Sequence, residues 1–413
     1  MRVSTVTMFE QSTASINRQQ NEFLKTSQQI ASGRRVVNPS DDPQAASRAV
    51  GVDQSKAMTQ QYADARVSAR NALSQTESIL NSISDAVISA KTLLVQASSD
   101  TLSDVDRESI ASELKGIYET LIGQANATDG NGRYIFGGYK DNAPPFVKSA
   151  DGSVEYTGDN NGREQRVDAS RLMPVTENGV TIFQQVPSGA GYIAEANVAN
   201  QGSVIINGPQ VANVNDPDYG DSFRVRFAEN GAGESTYTLQ QFDGAAWLDV
   251  AGQVGQPYDA SGQQLSFGGV NVTLRGSSEA GDEILIARSG SEQRPADLFR
   301  TMEAAIRVLE TPAESSSQKA ALRNTLNTSM RDLDNALDNV LTVRASAGAR
   351  LNELDVIDAV GSNRMLNYEQ TLSDLVDLDY AEAISEYSLR QIGLQAAQRA
   401  FVDIKGMSLF DFM

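Results

Sequence analysis

Residues 9–30 read FEQSTASINRQQNEFLKTSQQI, and residues 380–401 read YAEAISEYSLRQIGLQAAQRAF. In the first, Phe9, Ile16, Phe23 and Ile30 recur every seven residues; in the second, Tyr380, Tyr387, Leu394 and Phe401 do the same. A seven-residue apolar repeat draws a seam along one face of a helix that packs on another helix. Each set of four covers roughly 33 Å at ~1.5 Å per residue, so the two seams match in length. The positions that complete them are Thr13, Gln20 and Ser27 in one stretch and Ile384, Gln391 and Gln398 in the other. Seams half filled by Gln, Thr and Ser hold two helices weakly, and Leu24, Leu389, Ile392 and Ile404 lie off them. Wide, weak apolar faces suit arms that order only against further copies of the chain.

Gly33 follows the first seam and can take the left-handed position that ends a helix. Asn38-Pro-Ser-Asp-Asp-Pro43 reads as a connector with a restart, Asp42 as N-cap and Pro43 at the first helical position. Beyond it, Leu73, Leu80, Val87 and Leu94 form one heptad row and Thr76, Ile83, Ala90 and Ala97 the row beside it. After a polar break at 98–106, Ile110, Leu114, Ile117 and Leu121 predict another helix. Residues 295–309 predict a short helix stopped near Pro312. Leu326, Leu333, Val340, Ala347 and Leu354 make a long row, supported by Met330, Leu337 and Leu351. Asp374, Asp377 and Asp379, set among Leu372, Leu375 and Leu378, read as the solvated face of a helix.

The middle is different. Residues 141–290 hold 20 of the 32 glycines and 7 of the 11 prolines, with 19 acidic and 8 basic side chains for a net of −11. Alternation in 222–227, 235–239, 265–274 and 283–287 predicts strands. Asp151-Gly152, Asn161-Gly162, Asn178-Gly179, Asn207-Gly208, Asn230-Gly231 and Asp243-Gly244 punctuate them as hairpin turns. The fold class is therefore α+β and multidomain: a long antiparallel α-helical coiled-coil stem formed by both termini, with an inserted antiparallel β domain. The expected divisions are 1–42 (N-terminal arm), 43–140 and 291–362 (two halves of a helical stem), 141–290 (β domain) and 363–413 (C-terminal arm).

Composition argues against chemistry. The 413 residues include no Cys and no His, which removes thiol nucleophiles, Ser-His-Asp triads and ordinary zinc sites. A net charge of −19 repels phosphate backbones, so no nucleic-acid partner is expected. No stretch approaches ~18 consecutive apolar residues, so no membrane insertion is expected. Residues 1–20 show no apolar core of a cleaved signal. Asp216-Pro-Asp-Tyr-Gly-Asp221 opens like a calcium loop, but Asp221 stands at the sixth position, where Gly belongs, and Phe227 at the twelfth, where Glu belongs. Asp41-Asp42 reads as first-turn charge at a helix start rather than a catalytic dyad. No phosphate-binding glycine motif occurs. The reading is non-enzymatic, with no catalytic residue, cofactor or metal.

Residues 31–47, ASGRRVVNPSDDPQAAS, resemble the joint after the first helix in the flagellin superfamily. RYIFGGYKDNAPPF at 133–146, VRASAGARLNEL at 343–354 and the SLFDF ending are similar to segments of its hook–filament junction branch, the hook-associated protein 3 family. That resemblance covers both arms in order, and the β region more loosely. It implies a structural adaptor of the bacterial flagellum, located outside the cell and exported through the type III apparatus without a cleaved signal. It also implies a ring-forming homo-oligomer, with hook-associated protein 1 on one side, flagellin on the other and an export chaperone for the C-terminal arm. In that family the arms line an inner coiled-coil tube. The subunit-interface residues expected here are Phe9, Ile16, Phe23, Ile30, Tyr380, Ile384, Tyr387, Leu394 and Phe401. Flagellin, the filament subunit, shares the arms and the Asp-Asp joint and is the alternative.

Overall fold

The computed structural model describes residues 5–150 and 152–406. The chain opens with three helices, α1 (Thr5–Ser32), α2 (Pro43–Ala97) and α3 (Asp104–Ala125). Two hairpins follow: β1 (Phe146–Lys148) with β2 (Val154–Tyr156), and β3 (Glu164–Asp168) with β4 (Arg171–Pro174). A short α4 (Gly179–Phe183) leads into β5 (Tyr192–Ala196), β6 (Ile205–Val211), β7 (Phe223–Glu229), β8 (Ser235–Phe242) and β9 (Trp247–Asp249). Then come β10 (Gln256–Pro257), β11 (Gln263–Phe267), β12 (Val270–Arg275) and β13 (Glu283–Arg288). The chain returns through α5 (Leu298–Glu310), α6 (Ser316–Val376) and α7 (Tyr380–Gly406). Helical at both ends with an antiparallel β region inserted, it has the expected class.

Two compact units emerge, Met1–Arg66 with Asp355–Met413, and Val67–Leu354. The divisions fall inside α2 and α6, rather than at 42/43 and 362/363.

In the larger unit the heptad rows do what their spacing requires. Leu80, Ile83, Val87, Ala90 and Leu94 of α2 are fully buried, as are Leu333 and Val340 of α6. Both helices join α3 and α5 in one core. The helices run antiparallel there: Lys91 pairs with Asp334, and Glu77 with Arg344 at 2.7 Å. α2 contains a window apolar enough by length and composition to cross a membrane, but these core positions use its apolar side chains. Ser103 and Asp106 start α3 with a reciprocal capping box. Hydrogen bonds from Ser103 hold the Asp106 carboxyl below its usual range.

The expected boundary at 141 is not a boundary between cores. Phe146, Val154, Ile182 and Phe183 belong to the helical core, not to a separate β core. The ring of Phe146 lies 5.1 Å from Phe183 and 5.0 Å from Phe299 of α5. The second core begins later. It lies between the sheet ordered β10-β8-β7-β13-β5, to which β9 adds on β8, and the sheet ordered β11-β12-β6. Val225, Leu239 and Ile286 from the first sheet meet Val270, Val272 and Leu274 from the second. Of the expected turns, Asn230-Gly231 and Asp243-Gly244 link β7 to β8 and β8 to β9. Asn178, by contrast, caps α4, accepting from the Thr181 amide at 2.9 Å. Asn207-Gly208 lies inside β6, ahead of a cis Pro209. Asp151 lies outside the described residues.

Polar side chains of α6 tie the β region down. Asn324 accepts from the Ile206 amide at 3.0 Å and donates to the Val204 carbonyl at 2.7 Å, occupying an edge of β6 as a strand would. Thr328 donates to the Ala194 carbonyl at 2.8 Å, and Asn339 to the carbonyls of Thr181 and Ile182 at 2.8 and 3.0 Å. Buried Arg294 lies between Asp332 and Glu195, at 2.5 and 2.8 Å. These two carboxylates raise its pKa against the opposing effect of burial.

Candidate functional site: the terminal helix pair

The smaller unit holds every residue of the two expected seams that the structure describes. α1 ends where Gly33 turns left-handed, φ +69°, and a Cβ there would meet the Tyr380 hydroxyl at 3.0 Å. The chain then forms an antiparallel clasp with the link between α6 and α7. Arg35 N–H donates to the Val376 carbonyl at 2.7 Å, and Leu378 N–H to the Gly33 carbonyl at 3.0 Å. The helix expected through Asp374, Asp377 and Asp379 is therefore broken at 377–379. Asp377 sits in the clasp, opposite Arg34, while Asp379 caps α7 by accepting from the Ala381 amide at 2.8 Å.

Asp41 and Asp42 act as the helix-start reading requires. Asp42 accepts from the Ala45 amide at 3.0 Å, and that bond holds its carboxyl below the usual range. Asp41 is held low by the Asn38 amide first and Lys25 second. Farther along, Lys56 meets Glu369 at 3.0 Å, and the buried guanidinium of Arg66 pairs with Asp358.

α1 and α7 pack antiparallel in a fixed register. The Phe9 and Phe401 rings are 5.2 Å apart, and those of Phe23 and Tyr387 are 4.9 Å apart. Fourteen residues forward on α1, from 9 to 23, thus match fourteen residues back on α7, from 401 to 387. The same register sets Ile16 opposite Leu394 and Ile30 opposite Tyr380. Arg390 bridges the helices, pairing with Glu22 and, at 2.8 Å, with Glu386 on its own helix.

Burial separates this seam from the others. None of the nine expected interface residues is buried: Phe9 is 45 % exposed, Tyr380 51 % and Ile384 54 %. Ile16, Phe23, Ile30, Tyr387, Leu394 and Phe401 are half-buried. Among the described residues, only Thr26 of α1 and Ala383 of α7 are buried. Ala383, one position before Ile384, takes the inward place that the heptad had given to Ile384. The reason is the α-helical period: 3.6 residues per turn drifts off a strict 3.5 repeat. Leu389 and Ile392 stand more exposed still. Sequence reasoning missed the Glu22–Arg390–Glu386 bridge, although the four-residue spacing of Glu386 and Arg390 was a readable signal.

Elsewhere the acidic side chains that resembled sites are occupied. Asp216 accepts from the Asp218 amide at 3.1 Å, and Asp221 from the Gln241 side chain at 2.7 Å. Among the described residues, no group of three His, Cys, Asp or Glu could hold a metal ion. The geometry of the helix pair offers apolar surface and register, not reacting groups.

Comparison with known proteins points the same way. Residues 3–141 match the bacterial flagellin N-terminal helical region. The chain is 34 % identical over 411 residues to flagellar hook-associated protein 3 of Escherichia coli (strain K12), covering 99 % of both chains. The crystal structure of flagellar hook-associated protein-3 from Legionella pneumophila superposes with a TM-score of 0.68 at 26 % identity, covering 78 % of this chain and 98 % of that one. Polar flagellin C of Vibrio parahaemolyticus matches more weakly, 22 % over 396 residues, covering 94 % of this chain and 93 % of that one. Agreement at one residue in three along almost the whole length, against about one in five for a flagellin, decides between the branches: the chain belongs to the flagellar hook-associated protein 3 family.

Proposed function

We propose that this protein is the structural, non-enzymatic adaptor of the hook–filament junction, forming a ring that joins hook-associated protein 1 to the flagellin filament. The observation that carries the reading is the contrast between two kinds of heptad. Leu80, Val87, Leu333 and Val340 are spent on an internal core, whereas Phe9, Tyr380, Ile384, Leu389 and Ile392 remain in solvent. An aromatic pair such as Phe23–Tyr387 contributes about 0.5–1.5 kcal/mol beyond burial, too little to make such a pair of helices self-sufficient. Further copies of α1 and α7 would supply the missing surface. Phe9, Ile16, Phe23, Ile30, Tyr380, Ile384, Tyr387, Leu394 and Phe401 are then the contacts of an inner coiled coil. Export through the flagellar type III apparatus, with a chaperone covering the C-terminal arm, fits an arm that carries this much apolar surface before assembly. Residues 1–42 and 363–413 act as assembly arms in this account.

The test is a split result. Replacing Phe23 or Leu394 by Asp puts a charge into a packed tube, where an unpaired ion costs several kcal/mol. In the isolated protein the main melting transition should stay where it was, while the variant should fail to join the flagellum and flagellin should be lost to the medium. A main transition lowered by several degrees in the isolated variants would make these arms ordinary internal core.

A further inference from the structure

The seam between α1 and α7 is a poor judge of its own register. Its beads recur every seven residues on both helices. A slip of one heptad would set Ile16 against Phe401, Phe23 against Leu394 and Ile30 against Tyr387, keeping apolar contact at three of the four levels. It would break the Glu22–Arg390 bridge, but both side chains reach solvent, and such a pair contributes little. Connectivity allows the slip as well. Residues 33–42 join α1 to α2, and this connector reaches roughly 33 Å when extended. One heptad of helix is about 10 Å.

The antiparallel clasp lies where such a slip can be stopped. Besides its two main-chain bonds, Arg35 N–H to the Val376 carbonyl and Leu378 N–H to the Gly33 carbonyl, side chains tie the connector to the helices around it. The Arg35 guanidinium donates to the Leu375 carbonyl in the last turn of α6 at 2.7 Å, and lies 3.4 Å from Asp42. Gln29 of α1 donates to the Arg35 carbonyl at 2.5 Å, Lys25 of α1 meets Asp41 at 3.1 Å, and Val36 is buried. The clasp also shares the register of the rings. Carried from Phe9–Phe401 and Phe23–Tyr387 past the helix ends, that register sets Gly33 opposite Asp377; the bridge pairs Arg34 with Asp377, one residue away. Packing is tightest beside it. Thr26 and Ala383, buried in the arms, lie within about two turns of the clasp, whereas Phe9 at the far end is half exposed.

We propose that this clasp, rather than the seam, fixes the register of α1 on α7. The link of residues 377–379 sets where α7 starts from the end of α6. The clasp then sets the height of α1 by joining its end to the same link. Two main-chain hydrogen bonds favour one register over the next by about tenfold. The arms are thereby presented as one aligned pair, with Phe9, Leu389 and Ile392 at fixed heights, before any neighbour is met. The inference concerns a single chain and stands independently of the ring.

Disulfide trapping in the isolated full chain tests it, where no neighbouring copy imposes a register. The chain has no cysteine, so an introduced pair supplies the only thiols. Ser12 and Ala397 are half-buried between the Phe9–Phe401 and Ile16–Leu394 levels, and Gln19 stands one heptad beyond Ser12. Ser12→Cys with Ala397→Cys therefore reports the observed register, and Gln19→Cys with Ala397→Cys the slip. After treatment with oxidised glutathione, the fraction of monomer carrying the disulfide is read on a non-reducing gel. With the clasp intact, the first pair should exceed the second by about tenfold. Arg35→Pro with Leu378→Pro removes both donors of the clasp. Gly33→Val, at φ +69° and with its Cβ 3.0 Å from the Tyr380 hydroxyl, disturbs it without proline. Either change should bring the two yields close together while the main melting transition stays in place. Similar yields with the clasp intact, or an excess of the first pair that survives either change, overturns the proposal. Loss of both disulfides in the altered chains also contradicts it, because the clasp would then hold the arms together without choosing their register.

Discussion

Truncating Phe183 to Ala should destabilise helices that are distant from it in sequence. Phe183 is 2 % exposed, and its ring lies 6.0 Å from Phe136, 5.1 Å from Phe146 and 5.4 Å from Phe299. Three of these rings come from the stretch between α3 and β5, and the fourth from α5. Removing a fully enclosed phenyl ring costs about 3–5 kcal/mol, the lost transfer energy plus the cavity left behind. Against a total of roughly 5–15 kcal/mol for a folded domain, that is a large fraction. Urea unfolding followed by the helical far-UV signal measures it, with Leu248→Ala on exposed β9 as a control expected within about 0.5 kcal/mol of wild type. A loss below about 1 kcal/mol for Phe183→Ala, or a loss confined to the β signal, would refute the shared core. By the same logic, replacing 141–290 with a short linker should destroy the helical core, because Phe146 and Phe183 would leave with it.

Asn324→Ala leaves the Ile206 amide and Val204 carbonyl without partners, a loss on the order of 2–4 kcal/mol; hydrogen exchange at Ile206 should accelerate, and unchanged protection would contradict the clamp. Asp41 and Asp42 have carboxyls held below the ordinary 3.8, so their contribution is complete above the unfolded aspartate range and is lost as pH falls through the folded values. NMR titration should give midpoints below 3.8 for both, and midpoints at or above it would remove the capping account.

Periodicity made the helices legible, because a seven-residue repeat is a local signal that tertiary context rarely reverses. Four beads on each side also showed that the two arms match in length, while the register that sets Phe9 against Phe401 came from the packed rings. Gln20 and Gln391 in the seams further marked these arms as weakly packed. What stayed hidden was non-local. Nothing near Phe146 or Phe183 shows that their rings enter a helical core, since a glycine-rich neighbourhood looks the same on either side of a domain boundary. Asn324, Thr328 and Asn339 read as surface positions of α6 until the β region is placed against them. Asn178-Gly179 and Asn207-Gly208 share their dipeptide with true hairpin turns, and only the Thr181 amide on Asn178 and the pairing of Asn207 with Thr273 in the sheet set them apart. The offset between Ala383 and Ile384 is one residue, within the drift of a 3.6-residue period against a heptad.

The central claim, a junction adaptor rather than a filament subunit, is tested most directly by where the protein sits. Gold-labelled protein, carrying its tag in the exposed β8–β9 turn at Gly244, can be located along purified flagella by electron microscopy. A single narrow band at the boundary between hook and filament is the predicted result. Label distributed along the whole filament would contradict it and identify the chain's role as that of a flagellin.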